Sequence, residues 1–148
     1  MTLLKIQHIS AGYGQFQALF DVSLNLKEGE AISVIGANGA GKSTLLKTIS
    51  GTVNMISGEV LLDGKSIRDL QPHERVLQGI ALVPEGRRIF HSLTVKENLM
   101  IGGYSSRPGP WNVESILEAF PILENFIGRA ANRLSGGEQQ ALAIGRAL

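Results

Sequence analysis

The sequence predicts an α/β fold preceded by an antiparallel β region. Two short apolar segments, at 31–35 and 80–83, are typical of strands that are buried on both faces. A glycine-rich loop and a helical pattern follow the first of them at once, and this order of elements is typical of a parallel α/β core. Two earlier segments alternate between apolar and polar residues, which indicates half-buried strands.

The half-buried strands are predicted at 3–10 and 22–26, paired in an antiparallel sheet. Apolar residues recur at every second position in both segments, although the alternation is looser in the first. Gly12 and Gly14 lie between them and mark the turn. The N-terminal third of the chain is therefore expected to form a β-subdomain that leads into the buried strand at 31–35.

Three further elements are predicted in the middle of the chain. A helix is expected over 42–50, with Leu45, Leu46 and Ile49 on its buried face and Gly51 as the C-terminal cap. Residues 59–62 are expected to form a strand that runs into the turn Asp63-Gly64. Residues 72–78 fit a short helix with proline in its first turn.

The remainder of the chain has a helical pattern. Residues 94–100 and 113–120 are each predicted to form an amphipathic helix, with a loop at 105–110 between them. Positions 91–134 together are interpreted as a small helical insert. The last segment begins with Ser135 and carries Glu138 three residues later, which predicts a capping box at the start of a helix over 135–148.

Composition and charge exclude several function classes. Fourteen basic and thirteen acidic residues give a net charge of +1, so no electrostatic argument favours a nucleic-acid partner. The absence of cysteine excludes disulfides, thiol nucleophiles and thiolate metal sites. The three histidines lack zinc-site spacing, and no G-x-S-x-G elbow is present. No secretory leader or membrane-spanning apolar run is visible, so any membrane role is expected to come through a partner.

The clearest chemical motif is the segment GANGAGKS at 36–43, which fits G-x-x-x-x-G-K-[ST] between a predicted strand and helix. Glycines allow successive backbone N–H groups to turn towards a polyphosphate, and the helix start adds its positive end. Lys42 can bridge the outer phosphates, and Ser43 can offer its hydroxyl to Mg²⁺. The predicted nucleotide-binding residues are Gly36, Ala37, Asn38, Gly39, Ala40, Gly41, Lys42, Ser43 and Thr44.

A second motif, LSGGEQQ at 134–140, follows about a hundred residues later. Together with the glycine loop it resembles the signature motif of ATP-binding cassette (ABC) ATPases, which have a P-loop NTPase core, an N-terminal antiparallel β-subdomain and a helical insert. The resemblance implies ATP and Mg²⁺ as cofactors and a head-to-tail dimer that holds ATP between its subunits. It places Ser135, Gly136, Gly137 and Glu138 on the nucleotide of the partner subunit.

The resemblance also assigns roles to Tyr13 and Glu85. Tyr13 lies where the family carries an aromatic residue that stacks on adenine. Glu85 stands in Val-Pro-Glu, where most members have glutamine, and a carboxylate there can ligate Mg²⁺ or orient water. Lys42 and Glu85 are thus the expected catalytic residues, with Ser43 and Glu85 as metal ligands. Arg87 and Arg88 are expected to be solvated or to face a partner, without a catalytic role.

Longer segments are similar to the ATPases of branched-chain amino acid importers, in particular the smaller of their two types. These segments are AGYG at 11–14, VPEGRRIF at 83–90, LTVKENL at 93–99 and GEQQALAIGRAL at 137–148. The similarity implies a membrane permease docked on the helical insert near Phe90 and Leu93, and a substrate-binding protein that acts indirectly. It also implies a peripheral location at the cytoplasmic face of the plasma membrane.

Three alternatives remain open at this point. The first is the ATPase of another ABC transporter, of the urea or lipopolysaccharide type. The second is a cassette protein of translation or DNA repair, although this chain has neither two cassettes nor a coiled-coil insertion. The third is a catalytically silent nucleotide-binding module.

The family's following elements are a strand that ends in aspartate (Walker B), a catalytic glutamate, the D-loop and a switch histidine, and none precedes Leu148. The chain is therefore expected to be an incomplete nucleotide-binding domain that binds nucleotide weakly and turns over little alone. Within it, 1–90 is expected to form the β-subdomain and P-loop core, 91–134 the helical subdomain and 135–148 the signature helix.

Overall fold

The computed structural model describes residues 2–105 and 108–148, with Ser105 described by its backbone alone. The chain divides into two compact units, Met1–Ile80 and Ala81–Leu148. The subdomain boundaries inferred from the sequence stay a prediction. Residues 106 and 107 of the predicted loop at 105–110 lie outside the described residues.

A four-stranded antiparallel sheet forms most of the first unit. Its strands are β1 (Thr2–Tyr13), β2 (Phe16–Lys27), β3 (Met55–Leu62) and β4 (Lys65–Ser66), in the spatial order β2-β1-β3-β4. The predicted pairing of the first two strands is confirmed, and the predicted turn at 63–64 connects β3 to β4.

A β-bulge explains the loose alternation in β1. Ile6 pairs with Leu24 and Ile9 with Val22, so two residues of β1 lie opposite one residue of β2. His8 lies in this bulge with φ +50°. The extra residue turns Ile9 to the same face as Ile6, and both side chains are buried.

Helix α1 (Lys42–Ile49) packs on the buried face of this sheet, and α2 (Pro72–Leu77) follows β4. Thr44, Leu45 and Thr48 are the buried residues of α1. Leu46 is 47% exposed, so its assignment to the buried face is wrong. The core of the unit consists of Ile6, Ile9, Ala11, Leu19, Leu45, Val53, Val60 and Ile67.

The two central strands predicted at 31–35 and 80–83 are not formed. No ladder includes either segment within the described part of the chain, and every strand pair there is antiparallel. Ile32, Val34 and Ile35 are 45%, 42% and 92% exposed. A strand requires hydrogen-bonded neighbours, and neither segment has them among the described residues, so the apolar side chains at 31–35 stay exposed. These two predictions are therefore wrong for this structure.

Three helices form the second unit: α3 (Val95–Gly102), α4 (Val113–Ala119) and α5 (Gly136–Ala147). Short 3₁₀ segments at Gly103–Ser105, Pro121–Phe126 and Ala131–Arg133 connect them. The core comprises Ile89, Val95, Leu99, Ile116, Leu123, Ala131, Leu134, Leu142 and Ala143. The predicted helical pattern of this region is confirmed. No described helix has both the length and the apolar character that crossing a membrane requires.

Candidate functional site

The glycine loop leads directly into α1 in the first unit. Gly39 and Gly41 have φ values of +84° and +90°, a left-handed conformation that side chains disfavour. A Cβ atom on Gly41 would lie 2.8 Å from Leu19 Cδ2 and 3.0 Å from the carbonyl oxygen of Ala18. Position 41 therefore requires glycine for its conformation and for its close contact with β2.

The loop is folded around its own lysine. Lys42 Nζ donates hydrogen bonds to the carbonyl oxygens of Gly36, at 2.7 Å, and Ala37, at 2.8 Å. These contacts hold one positive charge against the start of the loop. Phosphate oxygens carry more negative charge than amide carbonyls and are the stronger acceptors for an ammonium group.

The N-terminus of α1 retains its positive end. Its N-cap is Gly41, so no side chain caps it, and no acidic residue lies in its first turn. These features suit an anion at the helix start. Ser43 is exposed there, whereas the Thr44 side chain is buried, so any contact between Thr44 and a nucleotide would use its backbone N–H. The remaining loop residues Asn38 and Ala40 are exposed.

Tyr13 ends β1 and pairs with Phe16 across the turn to β2. The two residues are 49% and 69% exposed, so about half of the surface of Tyr13 is accessible from solvent. Its role in adenine binding stays a prediction.

The signature segment forms the tip of α5 in the second unit. The backbone N–H of Ser135 donates to Glu138 Oε2 at 2.6 Å, and the backbone N–H of Glu138 donates to Ser135 Oγ at 3.4 Å. The predicted capping box is thus confirmed. Since the Glu138 carboxylate is already bound to this backbone, the most open part of the tip is at Gly137, where a Cβ would have no neighbour within 4 Å.

The structure adds Arg87 to the residues of this tip. Arg87 Nη1 donates to Gln139 Oε1 at 3.1 Å, and Nη2 lies 3.2 Å from the position of a Cβ on Gly136. Arg87 therefore packs against the signature glycine instead of being free in solvent. No periodic or capping pattern in the sequence indicates this contact. The only feature of the sequence that is consistent with this contact is the pair Gly136-Gly137, because glycines leave room for a neighbouring side chain.

The expected site residues thus form two groups, one in each unit. The first contains Tyr13 and the loop at 36–44, and the second contains Glu85 and the tip at 135–138. Glu85 is exposed. Among residues 2–105 and 108–148, no cluster of three or more histidine or carboxylate side chains could hold a metal ion.

Comparison with known proteins identifies similar chains. Residues 19–148 match the family described as ABC transporter. The chain is 46% identical over 148 residues to the high-affinity branched-chain amino acid transport ATP-binding protein BraG of Pseudomonas aeruginosa. It is 43% identical to the probable branched-chain amino acid transport ATP-binding protein LivF of Archaeoglobus fulgidus. The matches cover 99% of this chain and 64% and 63% of those relatives.

Among solved structures, the chain resembles a dimeric ATP-binding cassette in a post-hydrolysis state with ADP and phosphate bound. The TM-score is 0.81 at 31% identity, and the match covers 99% of this chain and 69% of that one. The predicted α/β fold class is thereby confirmed, although the two central strands are not formed here. The chain spans about 64% of the length of its first curated relative.

Proposed function

Because the chain belongs to the ABC transporter ATP-binding family, we propose that it binds ATP at the glycine loop and serves a branched-chain amino acid importer. The observation that carries this proposal is the loop itself. Gly41 directs the backbone into an uncapped helix start, and Lys42 lies over the same loop. The relatives named for branched-chain amino acid transport support the choice of solute class.

At the glycine loop, the backbone N–H groups and the positive end of α1 would bind the phosphates of ATP. Lys42 would exchange its two carbonyl acceptors for the more negative phosphate oxygens. The Ser43 hydroxyl would contact Mg²⁺, which prefers oxygen ligands and commonly shares them with substrate phosphates. Bound Mg²⁺ would neutralise charge on the phosphates. Tyr13 would stack on the adenine ring.

The signature tip is proposed to act on the nucleotide of a second subunit. Ser135, Gly136 and Gly137 present a helix start, and this geometry suits a phosphate held by another molecule. A dimeric cassette of similar fold supports this arrangement. Glu85 is proposed to bind Mg²⁺ or orient water. The assembly would dock on permease subunits at the cytoplasmic face of the membrane and receive solute indirectly from a binding protein.

Nucleotide titration with a matched control tests ATP binding. Lys42→Ala is expected to weaken ATP binding at least tenfold, because it removes the cation that bridges the phosphates. Lys47→Ala removes an equal charge from an exposed position of the same helix and is expected to change affinity less than twofold. Equal effects of the two variants would refute the assigned role of the loop.

The transported solute is tested with the intact gene product that carries this chain, assembled with its permease in membrane vesicles. ATP is expected to drive uptake of labelled leucine, and Lys42→Ala is expected to abolish that uptake. ATP-driven uptake of urea without uptake of leucine would instead support the alternative of another ABC transporter.

A further inference from the structure

The three residues after Glu85 adopt an unusual backbone conformation. Gly86, Arg87 and Arg88 have φ values of +75°, +63° and +50° in succession. The N–H of Arg88 donates to the carbonyl oxygen of Gly86 at 2.6 Å, which closes a tight turn. Two consecutive arginines in the left-handed region cost free energy, and such strain persists where surrounding contacts hold it.

Contacts with α5 hold this turn at two points. At the N-terminal end of the helix, the Arg87 guanidinium donates to the Gln139 side chain at 3.1 Å. Near the C-terminal end, Arg146 Nη2 donates to the carbonyl oxygen of Arg88 at 2.8 Å. The Arg146 guanidinium also lies 5.1 Å from the centre of the Phe90 ring. The turn is thus attached along the length of the signature helix.

The contact made by Arg87 continues into the residues that start the helix. Gln139 Nε2 donates to the carbonyl oxygen of Leu134 at 3.0 Å, immediately before the N-cap Ser135. Arg87 also occupies the space beside Gly136, where a Cβ would lie 3.2 Å from Nη2. A displacement of the turn would therefore be transmitted to the N-cap through Gln139 and to the first helical residue directly.

We propose that Arg87 is a positioning residue that couples the turn at 86–88, which follows Glu85, to the signature tip of α5. This inference rests on the proposed function, because the tip acts on a nucleotide only within an assembled dimer. When Glu85 engages Mg²⁺ or water, Arg87 carries the change in the turn to Ser135 and Gly136. Arg88 has no such role, because its side chain is exposed and its contact with the helix uses its backbone carbonyl.

A double-mutant cycle in the intact gene product tests the coupling. Arg87→Ala is expected to lower the kcat of ATP hydrolysis about tenfold, because the lost hydrogen bond involves a charged donor. The affinity for a non-hydrolysable ATP analogue is expected to change less than twofold. Gln139→Ala is expected to give a similar loss, and the double variant no further loss, because both substitutions break the same link.

Two more variants separate the effect of losing a positive charge in this turn from the effect of breaking the link through Gln139. Arg88→Ala removes the same charge from the same left-handed backbone and is expected to retain at least half of the wild-type kcat. Gln139→Glu keeps an acceptor for Arg87 but removes the Nε2 donor to the carbonyl oxygen of Leu134, so it is expected to lose about as much activity as Gln139→Ala.

Hydrogen exchange in the 148-residue chain gives a readout that does not depend on activity. The amide of Gln139, which donates to the carbonyl oxygen of Ser135 at 2.9 Å, is expected to exchange about tenfold faster in Arg87→Ala than in Arg88→Ala. Equal exchange in the two variants, or equal kcat, would overturn the proposal even if the wild type binds ATP normally. Failure of the wild type to bind ATP would instead refute the proposed function.

Discussion

Arg75 provides the sharpest test of how α1, the helix behind the glycine loop, is held in place. Its side chain is 3% exposed. The guanidinium donates to the carbonyl oxygens of Thr48 and Ile49, the last residues of α1, at 2.9 Å each. It also donates to the carbonyl oxygens of Arg68, at 2.7 Å, and Leu70, at 3.0 Å. One side chain thus bonds the end of α1 to the segment that precedes α2.

Arg75→Met removes these four hydrogen bonds and keeps an apolar side chain of similar length. At about 1 kcal/mol net for each bond, the loss is about 4 kcal/mol. Burial lowers the pKa of Arg75, and the Asp69 carboxylate offsets part of that decrease, so the charged form bears a desolvation cost. The net value for each bond already includes this cost, so the expected decrease in the free energy of unfolding is about 4 kcal/mol.

Urea unfolding at neutral pH, followed by circular dichroism, measures this decrease. With a slope of about 1–1.5 kcal/mol/M, the midpoint of the first unit is expected to fall by about 3–4 M. Fluorescence of Trp111, the single tryptophan, reports on the second unit separately. Arg68→Met is the matched control, because exposed Arg68 donates one bond, to the carbonyl oxygen of Gly58 at 2.7 Å. Equal destabilisation by both substitutions would refute this reasoning.

Three further outcomes are expected. Gly41→Ala should weaken ATP binding at least tenfold by calorimetry, because its Cβ would lie 2.8 Å from Leu19 Cδ2 at a φ of +90°. Hydrogen bonds from the backbone and side chain of Thr94 lower the pKa of the Glu97 carboxyl. Their contribution to stability is therefore fully present above the ordinary glutamate pKa, and it is lost as the pH falls through the lowered pKa. Thr94→Ala should therefore raise the Glu97 pKa in an NMR titration. Asn98→Leu should lower the midpoint of thermal unfolding by about 5–10 °C, because a fully buried amide that binds the 90–94 segment is lost.

Local patterns predicted the elements that local contacts hold. The box of Ser135 and Glu138 is complete within four residues, and the structure forms it as predicted. The helix that starts at Lys42 and the glycine after its C-terminal end are predictable in the same way. Gly51 has a φ of +81°, the left-handed conformation that glycine commonly supplies at the end of a helix. In each case the residues that decide the structure are neighbours in the sequence.

Features that depend on distant partners were not predictable in this way. The apolar segment at 31–35 has the composition of a buried strand, but composition does not specify which segment pairs with it. Leu46 fits the apolar face by spacing, whereas the packed face of α1 includes two threonines instead. Arg87 meets Gln139 across 52 residues, and no short pattern encodes a contact of that separation.

The candidate site shows the same division. The glycine loop and the signature tip are each predicted by a contiguous motif, and in the structure each motif lies at the start of a helix. The contact between Lys42 and its own loop, and the position of Arg87 beside Gly136, follow from the path of the chain in three dimensions. The motifs alone therefore predict a ligand class, but they do not predict the residues that position the site.

Both ends of α1 are anchored by residues of the first unit. At its start, Gly41 lies against Leu19 and Ala18 of β2, and at its end the carbonyl oxygens of Thr48 and Ile49 accept hydrogen bonds from Arg75. The orientation of the glycine loop is thus set within the unit that carries it. For this reason a change at Arg87, in the other unit, is expected to alter turnover and leave nucleotide affinity unchanged. A loss of affinity in Arg87→Ala would show that contacts within the first unit are not sufficient to orient the loop.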